Sequence, residues 1–492
     1  MSYEQLPYKI MILGPFAPVP EEKFKPDFVD VDLYSIDQTI EKLSPVLYMP
    51  LPADLCPEGA ITLKFKKIKD FKPESIIKNN SYLASLAKEN LPSRITGLKN
   101  KTKQPAKEEK SKIDDIMSMV AGPEIGSDTS TDISSDSSLP KNQTGSGVSS
   151  IIREIFSNRK FQETEAAWKG LQNLVKKADI KGFKKIHISI SSVSHNSLET
   201  VLNEITSLPY DEVPNLVLID LGFDNTLPSI ELLEKVAQFT DKMLLTACVW
   251  IKPEFFRIKS FNQLHKIPYI KNHLEDISYA KFKKIKALPG AAWLIAGCNG
   301  FAVRPAHYFE DQGLFVSPVW GIGTLCALSV NNSGWPLGFT RYNTNRIENL
   351  AIVDEDGKNM NSTHALFSED RIMQLVEAGI TPLVGMKNKD FAFTPKEASL
   401  AGGSIKFQMF INRIIESLIN IRGKNIPGNI PEDEIKTALT ELFKQTGYNP
   451  PEDMEVIDGS NALGDQKVFN ISFIPPESLI SCSGKIKFAF AW

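Results

Sequence analysis

Apolar residues return at steps of three and four between Ile151 and Val175, and the pattern predicts two consecutive amphipathic helices there. In the second, Trp168, Leu171, Leu174, Val175 and Ala178 form one stripe, and Glu163, Lys169 and Lys176 are expected to face water. Trp168 reads as a core anchor. Elsewhere the period is two. Ile61, Leu63 and Phe65 alternate with Thr62 and Lys64, and Ile186, Ile188 and Ile190 repeat the pattern. Two further strands are expected at Phe469, Ile471 and Phe473, and at Ile486, Phe488, Phe490 and Trp492, separated by Pro475-Pro476. Short apolar runs of strand length occupy 8–13, 216–221, 243–249 and 291–296, and a strand fits 28–33.

Helix signals fall between these runs. Ser35 with Gln38 makes a capping-box signature for a helix through Leu43, stopped by Pro45, and Pro73 suits the first position of a helix running through Leu83 and Leu86. Residues 230–239 read as helical. Phe410, Ile414, Leu418 and Ile421 mark one face of a helix over 407–422, with Arg413 and Arg422 off it. The order is α/β (α+β mixed), with mixed sheets flanked by helices and a carboxy-terminal strand pair.

At 492 residues the chain is too long for one ordinary core. Its net charge of −3 argues against a dedicated nucleic-acid binder or a polybasic membrane protein, so neither is expected as a partner. Cys56, Cys248, Cys298, Cys326 and Cys482 are odd in number and scattered, which suits reduced thiols in a cytoplasmic protein. No run approaches the ~18 apolar residues of a membrane helix. Residues 99–150 are rich in Lys, Ser, Asp, Thr and Gly, basic at first and then acidic, and read as a linker in which only 113–120 has helical character.

Candidate chemistry is sparse. Gly321-Ile322-Gly323 lacks the third glycine and the acidic partner of a dinucleotide loop, since Cys326 stands at the third position. Asp220 and Asp224 follow a strand, but their spacing suits a turn or a helix cap better than a metal. The histidines at 187, 195, 265, 273, 307 and 364 show no metal grouping, and nothing local positions His195 against Cys298 or Cys326. Gly402-Gly403-Ser404 lacks a phosphate-loop lysine, and the lysines at 66, 67 and 69 read as a solvated face. No catalytic residue, cofactor site or metal site is assigned.

The spacing Phe161, Glu165, Trp168, Gly170, Leu171, Leu174, Val175 resembles the opening helix of the large sheath subunit of type VI secretion systems. Val303-Arg304-Pro305, the W-G to G-W segment 320–335 and the order of elements over 369–422 are similar to later parts of that subunit. Upstream, ILGPF and the Asp70-Phe71-Lys72-Pro73 turn resemble the small sheath subunit. Small and large subunits are therefore expected as one fused chain: 1–98 small-subunit-like, 99–147 linker, 148–425 large-subunit-like, and 426–492 completing the sheath-like domain. The halves either pack on each other or exchange between chains.

The resemblance implies a structural protein with no enzymatic activity. It would self-associate into rings or a helical sheath, contract around an inner tube and meet baseplate proteins, with an ATP-dependent unfoldase as a further candidate partner. The strands carrying Phe469, Ile471, Phe473, Ile486, Phe488, Phe490 and Trp492 pair within the chain or join neighbouring subunits. Alternatives are a non-polymerising adaptor of the same apparatus, and an α/β enzyme with a site near Gly297, Gly300, Gly321 and Gly323.

Overall fold

The structure, a computed structural model, describes residues 6–18, 24–89, 146–305, 313–354, 360–424, 431–451, 453–459, 467–480 and 484–491. In chain order the strands begin with β1 (Tyr8–Gly14), β2 (Val29–Asp30) and a hairpin of β3 (Val46–Pro50) and β4 (Ala60–Lys64). Next come β5 (Ile186–Ser192), β6 (Leu216–Phe223), β7 (Thr246–Ile251) and β8 (Leu294–Cys298). Two short pairs come after them: β9 (Phe301–Arg304) with β10 (Leu314–Val316), and β11 (Val353–Asp354) with β12 (Met360–Asn361). After β13 (Ile380–Pro382), β14 (Val384–Gly385) pairs with β15 (Ala392–Phe393). The last three, β16 (Glu455–Asp458), β17 (Val468–Phe473) and β18 (Ile486–Ala491), form an antiparallel sheet of their own.

The main sheet has seven strands in the order β13-β8-β7-β6-β1-β5-β2. All its pairings are parallel except β2 with β5. The first strand of the chain thus lies between two strands more than 170 residues downstream, with Tyr8 beside Ile186 and Ile10 beside Leu216. A strand in that position is covered on both faces, which explains why YKIMILG is apolar almost throughout rather than alternating. Tyr8, Ile10 and Ile12 enter one core with the helices Arg159–Lys177, Pro318–Ser333 and Ile405–Lys424. Met11 and Leu13 enter the other, beneath the helices Leu198–Ile205 and Leu227–Met243.

The start of β1 is pinned from below. Arg413 donates to the Leu6 carbonyl and to Glu416, both at 2.6 Å, and Lys9 pairs with Glu416 at 3.3 Å. Asn215 donates to the same carboxylate. Arg413 is therefore buried, contrary to its expected place off the apolar face, because the Leu6 carbonyl of the entering chain and Glu416 of its own helix receive its guanidinium. Lys169 also departs from expectation. It is partly buried, and desolvation holds its pKa below the usual lysine value.

Local corrections have local causes. The Ser35/Gln38 capping box does not form; the Asp32 carboxylate instead accepts from the Tyr34 and Ser35 backbone N–H groups before the helix Ile36–Leu43. The helix expected from Pro73 through Leu86 breaks at Asn80, which is extended (φ −106°, ψ 121°), giving Pro73–Asn79 and Ser81–Glu89. Met243 closes a helix, and a left-handed Leu244 (φ 48°) precedes β7. Ala291–Trp293 belongs to a 3-10 turn ahead of β8. The carboxy-terminal strand pair gains β16 as a third member. The region read as a linker lies, from 99 to 145, outside the described residues.

Losing β1 would expose Tyr8, Ile10, Met11, Ile12 and Leu13, each buried. At roughly 1.5–3 kcal/mol per side chain the total is on the order of 10 kcal/mol, comparable to the whole stability of a domain. A chain cut at a protease site engineered after Val120 is therefore expected to elute as one particle under native conditions and as two bands on a denaturing gel. Separation of the pieces without denaturant would contradict this placement of β1.

Candidate functional site: the motif junction and the terminal sheet

The two sequence motifs meet. Phe65 and Phe71 stack with ring centroids 4.2 Å apart, and Phe161 lies 6.1 and 6.0 Å from them and 5.0 Å from Phe156. Asp70 shapes the turn that delivers Phe71: its carboxylate accepts from the Lys66 and Lys67 backbone N–H groups at 2.8 and 3.0 Å. Pro73 then opens the next helix at a position needing no N–H donor. The small-subunit-like turn is thus held by the first residue of the large-subunit-like motif.

One turn further along the helix Arg159–Lys177, Glu165 pairs with Arg304 of β9 at 3.4 Å, and both are buried. The Arg304 guanidinium also sits 5.0 Å from the Phe156 ring centroid. Removing one partner of a buried pair costs far more than an exposed pair contributes, so this contact fixes the β9 hairpin against the helix. Trp168 donates its indole N–H to the Phe16 carbonyl at 2.9 Å, and the Phe16 ring meets Trp168 and Trp320 edge-on at 5.1 and 6.1 Å. Leu171 is buried in the same core.

Trp320 in turn donates to Asp220 Oδ2 at 2.7 Å, while the Ser317 hydroxyl donates to Oδ1 at 2.5 Å. Burial pushes the Asp220 pKa up to about 7, against the opposing effect of these two hydrogen bonds. Asp224 has a different role. It accepts from the Thr226 backbone N–H and hydroxyl ahead of the next helix and pairs with Lys252 at 3.3 Å. The two aspartates thus make a buried clasp and a cap, in line with the turn reading for Asp224 only.

Glycines set the helix approaches. A Cβ on Gly170 would lie 2.5 Å from the Trp320 ring, so the helices Arg159–Lys177 and Pro318–Ser333 cross with an indole against bare backbone. Gly321 and Gly323 are helical and do not form a loop; a Cβ there would strike Leu383 at 2.7 Å and Leu218 at 2.3 Å. They let this helix settle onto the sheet. Cys248, Cys298 and Cys326 are buried and their thiol pKa values are pushed up by desolvation. Burial lowers the His364 pKa to about 4. Among the described residues no group of His, Cys, Asp and Glu is placed to hold a metal ion.

The terminal strands form the second candidate. Phe469 faces Phe490, Ile471 faces Phe488 and Phe473 faces Ile486 within the chain. Phe473 lies 6.2 Å from Phe410 and 6.1 Å from Phe443, so the hairpin packs on the helices Ile405–Lys424 and Pro431–Gln445. Lys487, Ala489 and Ala491 face outward, and Phe488 is half-buried. β16 and β18 are the two edges of this sheet, and Trp492 lies outside the described residues.

Phe16, Asp220, Arg304 and Trp320 complete the junction around the motif residues Asp70, Phe71, Pro73, Phe161, Glu165, Trp168 and Leu171. A sequence signal existed for Asp220: a lone carboxylate inside the apolar run LVLIDL is either paired or protonated.

Gly170→Ala should destabilise the chain by about 1–3 kcal/mol through overpacking against Trp320, read as a lower denaturant midpoint. The raised Asp220 pKa means that its stabilising contribution is complete below about pH 4 and is lost as pH rises through about 7. Asp220→Asn, which can still accept from Trp320 and donate to Ser317, should show a smaller loss of stability between pH 5 and 8 than the parent; equal slopes would refute the assignment.

No curated protein matches the chain. Similar solved structures include the six-fold symmetrised baseplate of the anti-feeding prophage (11% identity, 63% of this chain and 78% of that chain, TM-score 0.39). Others are the contracted helical sheath of the same prophage (10%, 63% and 79%, 0.39) and a sheath tail protein from Listeria innocua (12%, 61% and 60%, 0.35). Residues 1–120 match the family model for VipA of the type VI secretion system, and residues 143–313 match that for the VipB (EvpB) tail sheath N-terminal domain. The two matches stand side by side in one polypeptide, which fuses a small-sheath-subunit region to a large-subunit sheath domain of the type VI secretion system.

Proposed function

We propose that this chain is the repeating subunit of a type VI secretion-like contractile sheath, working in the cytoplasm, with residues 99–147 joining its two parts. The observation that carries the reading is the position of β1. A strand from the VipA-matching region lies between two strands of the VipB-matching region, so each subunit supplies both halves of the sheet in fixed one-to-one ratio. Such subunits self-associate into rings or a helical lattice around an inner tube, seated on baseplate proteins. Contraction is a change of lattice between rigid subunits. An ATP-dependent unfoldase is the partner class that would recycle it.

The proposed joint between subunits is the terminal sheet. Its edge strands offer backbone donors and acceptors to a neighbour, and the aromatic face behind them keeps the sheet in place on its own helices. One hydrogen bond contributes only about 1 kcal/mol net. Repeated around every ring, such joints hold a lattice while subunits rotate.

Negative-stain electron microscopy with light scattering on the purified chain tests this reading; tubes or stacked rings support it. A monomer at every concentration, persisting after tube and baseplate proteins are added, would favour a non-polymerising adaptor. Deleting residues 485–492 should abolish assembly. Because Ile486 and Phe490 are buried, the companion variant Lys487→Glu/Ala489→Glu/Ala491→Glu places charge only on the exposed side. Normal tubes from that variant, with an unchanged circular dichroism spectrum, would rule out β18 as the joint.

A further inference from the structure

The crossover between β7 and β8 is strongly basic. From Lys252 to Leu288 it carries nine lysines and arginines against three acidic residues, in a chain with 56 basic and 59 acidic residues. Its apolar side is committed: Phe255, Phe256, Leu264, Ile270, Phe282 and Ile285 pack into the second core. The cations are left on the outside. Some are neutralised, Lys252 by Asp224, Lys281 by Glu231 and Lys283 by Glu275, at 3.3, 3.4 and 3.3 Å. Glu377 of the neighbouring helix Glu369–Glu377 accepts from the Tyr269 hydroxyl, and Arg257 lies over the Tyr279 ring. Lys259, Lys266, Lys271 and Lys284 are exposed and form no ion pair among the described residues.

Charge of the opposite sign lies in the same polypeptide. From 113 to 140 the sequence contains Asp114, Asp115, Glu124, Asp128, Asp132 and Asp136 and no lysine or arginine. These residues lie outside the described ones, between Glu89 and Ser146. The flanking elements, through Leu83 and Ile151, belong to the first core, across the sheet from the crossover. Asp128 is separated from Ser146 by enough chain to span roughly 60 Å when extended, against about 10 Å for each packed layer. The run is long enough to pass around the sheet.

We infer that the acidic run 114–136 docks on the exposed cations of the Lys252–Leu288 crossover of its own chain. Exposed ion pairs are individually weak and are screened by salt, but a tether raises the effective concentration to the ~mM range, so several together hold one segment. The docking occupies a surface that would otherwise attract any acidic partner. It is released by salt or by a competing polyanion.

Zero-length carbodiimide cross-linking of the dilute full-length chain, read by mass spectrometry, tests the inference. Cross-links are expected from these carboxylates to Lys259, Lys266, Lys271 or Lys284, falling severalfold near ~1 M salt, where the screening length is ~3 Å. The reversal Lys259→Glu/Lys266→Glu/Lys271→Glu/Lys284→Glu, all on the surface, should make the 90–145 region more rapidly cleaved by a limiting protease. Three results would each overturn the inference: no such cross-links at low salt, an equal yield to remote lysines such as Lys176 and Lys487, or cross-links only between isotopically distinct copies.

Discussion

β1 has no face turned to water. Tyr8, Ile10 and Ile12 are committed to one core and Met11 and Leu13 to the other, while its two edges are taken by β5 and β6. A strand held on four sides cannot be moved or lost without opening the middle of the sheet. It also makes the rest of the amino-terminal region dependent on the larger downstream region. Phe16, just beyond the strand, is fixed by Trp168 and Trp320, and Arg413 fixes the Leu6 carbonyl ahead of it. Fusion of the two sheath regions is therefore structural as well as covalent.

The junction shows how a few polar groups orient a large apolar contact. Glu165 with Arg304, Trp168 with the Phe16 carbonyl, and Asp220 with Ser317 and Trp320 each satisfy buried polar atoms that would otherwise be costly to desolvate. Each also joins elements far apart in sequence. Apolar packing alone would tolerate a rotation of the helix Arg159–Lys177 about its axis. The directed bonds and the fit of Gly170 against Trp320 remove that freedom.

Much of this is legible in the chain, and the unread part has a physical reason. Periodicity locates the helices around Trp168 and Phe410 and the strands around Ile188 and Ile471 because each buries a single face. The motif order identifies both family regions. The insertion of β1 between β5 and β6 is invisible, since pairing across more than 170 residues leaves no local trace. Arg413 and Lys169 depart from expectation for a related reason: local pattern assigns a charged residue to solvent, and only the folded chain reveals the partner or wall beside it. Gly321 and Gly323 look like part of a loop motif because close helix-to-sheet packing and phosphate binding both require a missing Cβ.

The terminal sheet obeys a different rule from the main one. In the main sheet burial on both faces makes position unique, whereas β17 and β18 bury one face and leave the other exposed, and β16 half-buries only Val456. The inner face, through Phe469, Ile471 and Phe473, ties the sheet to its own helices. Its outer edges carry backbone groups whose needs are met equally well by water or by another strand. The proposed joint between subunits draws on that division. Rigidity comes from the two-sided burial around β1, and the edges of the terminal sheet are where the proposed joint between subunits would form.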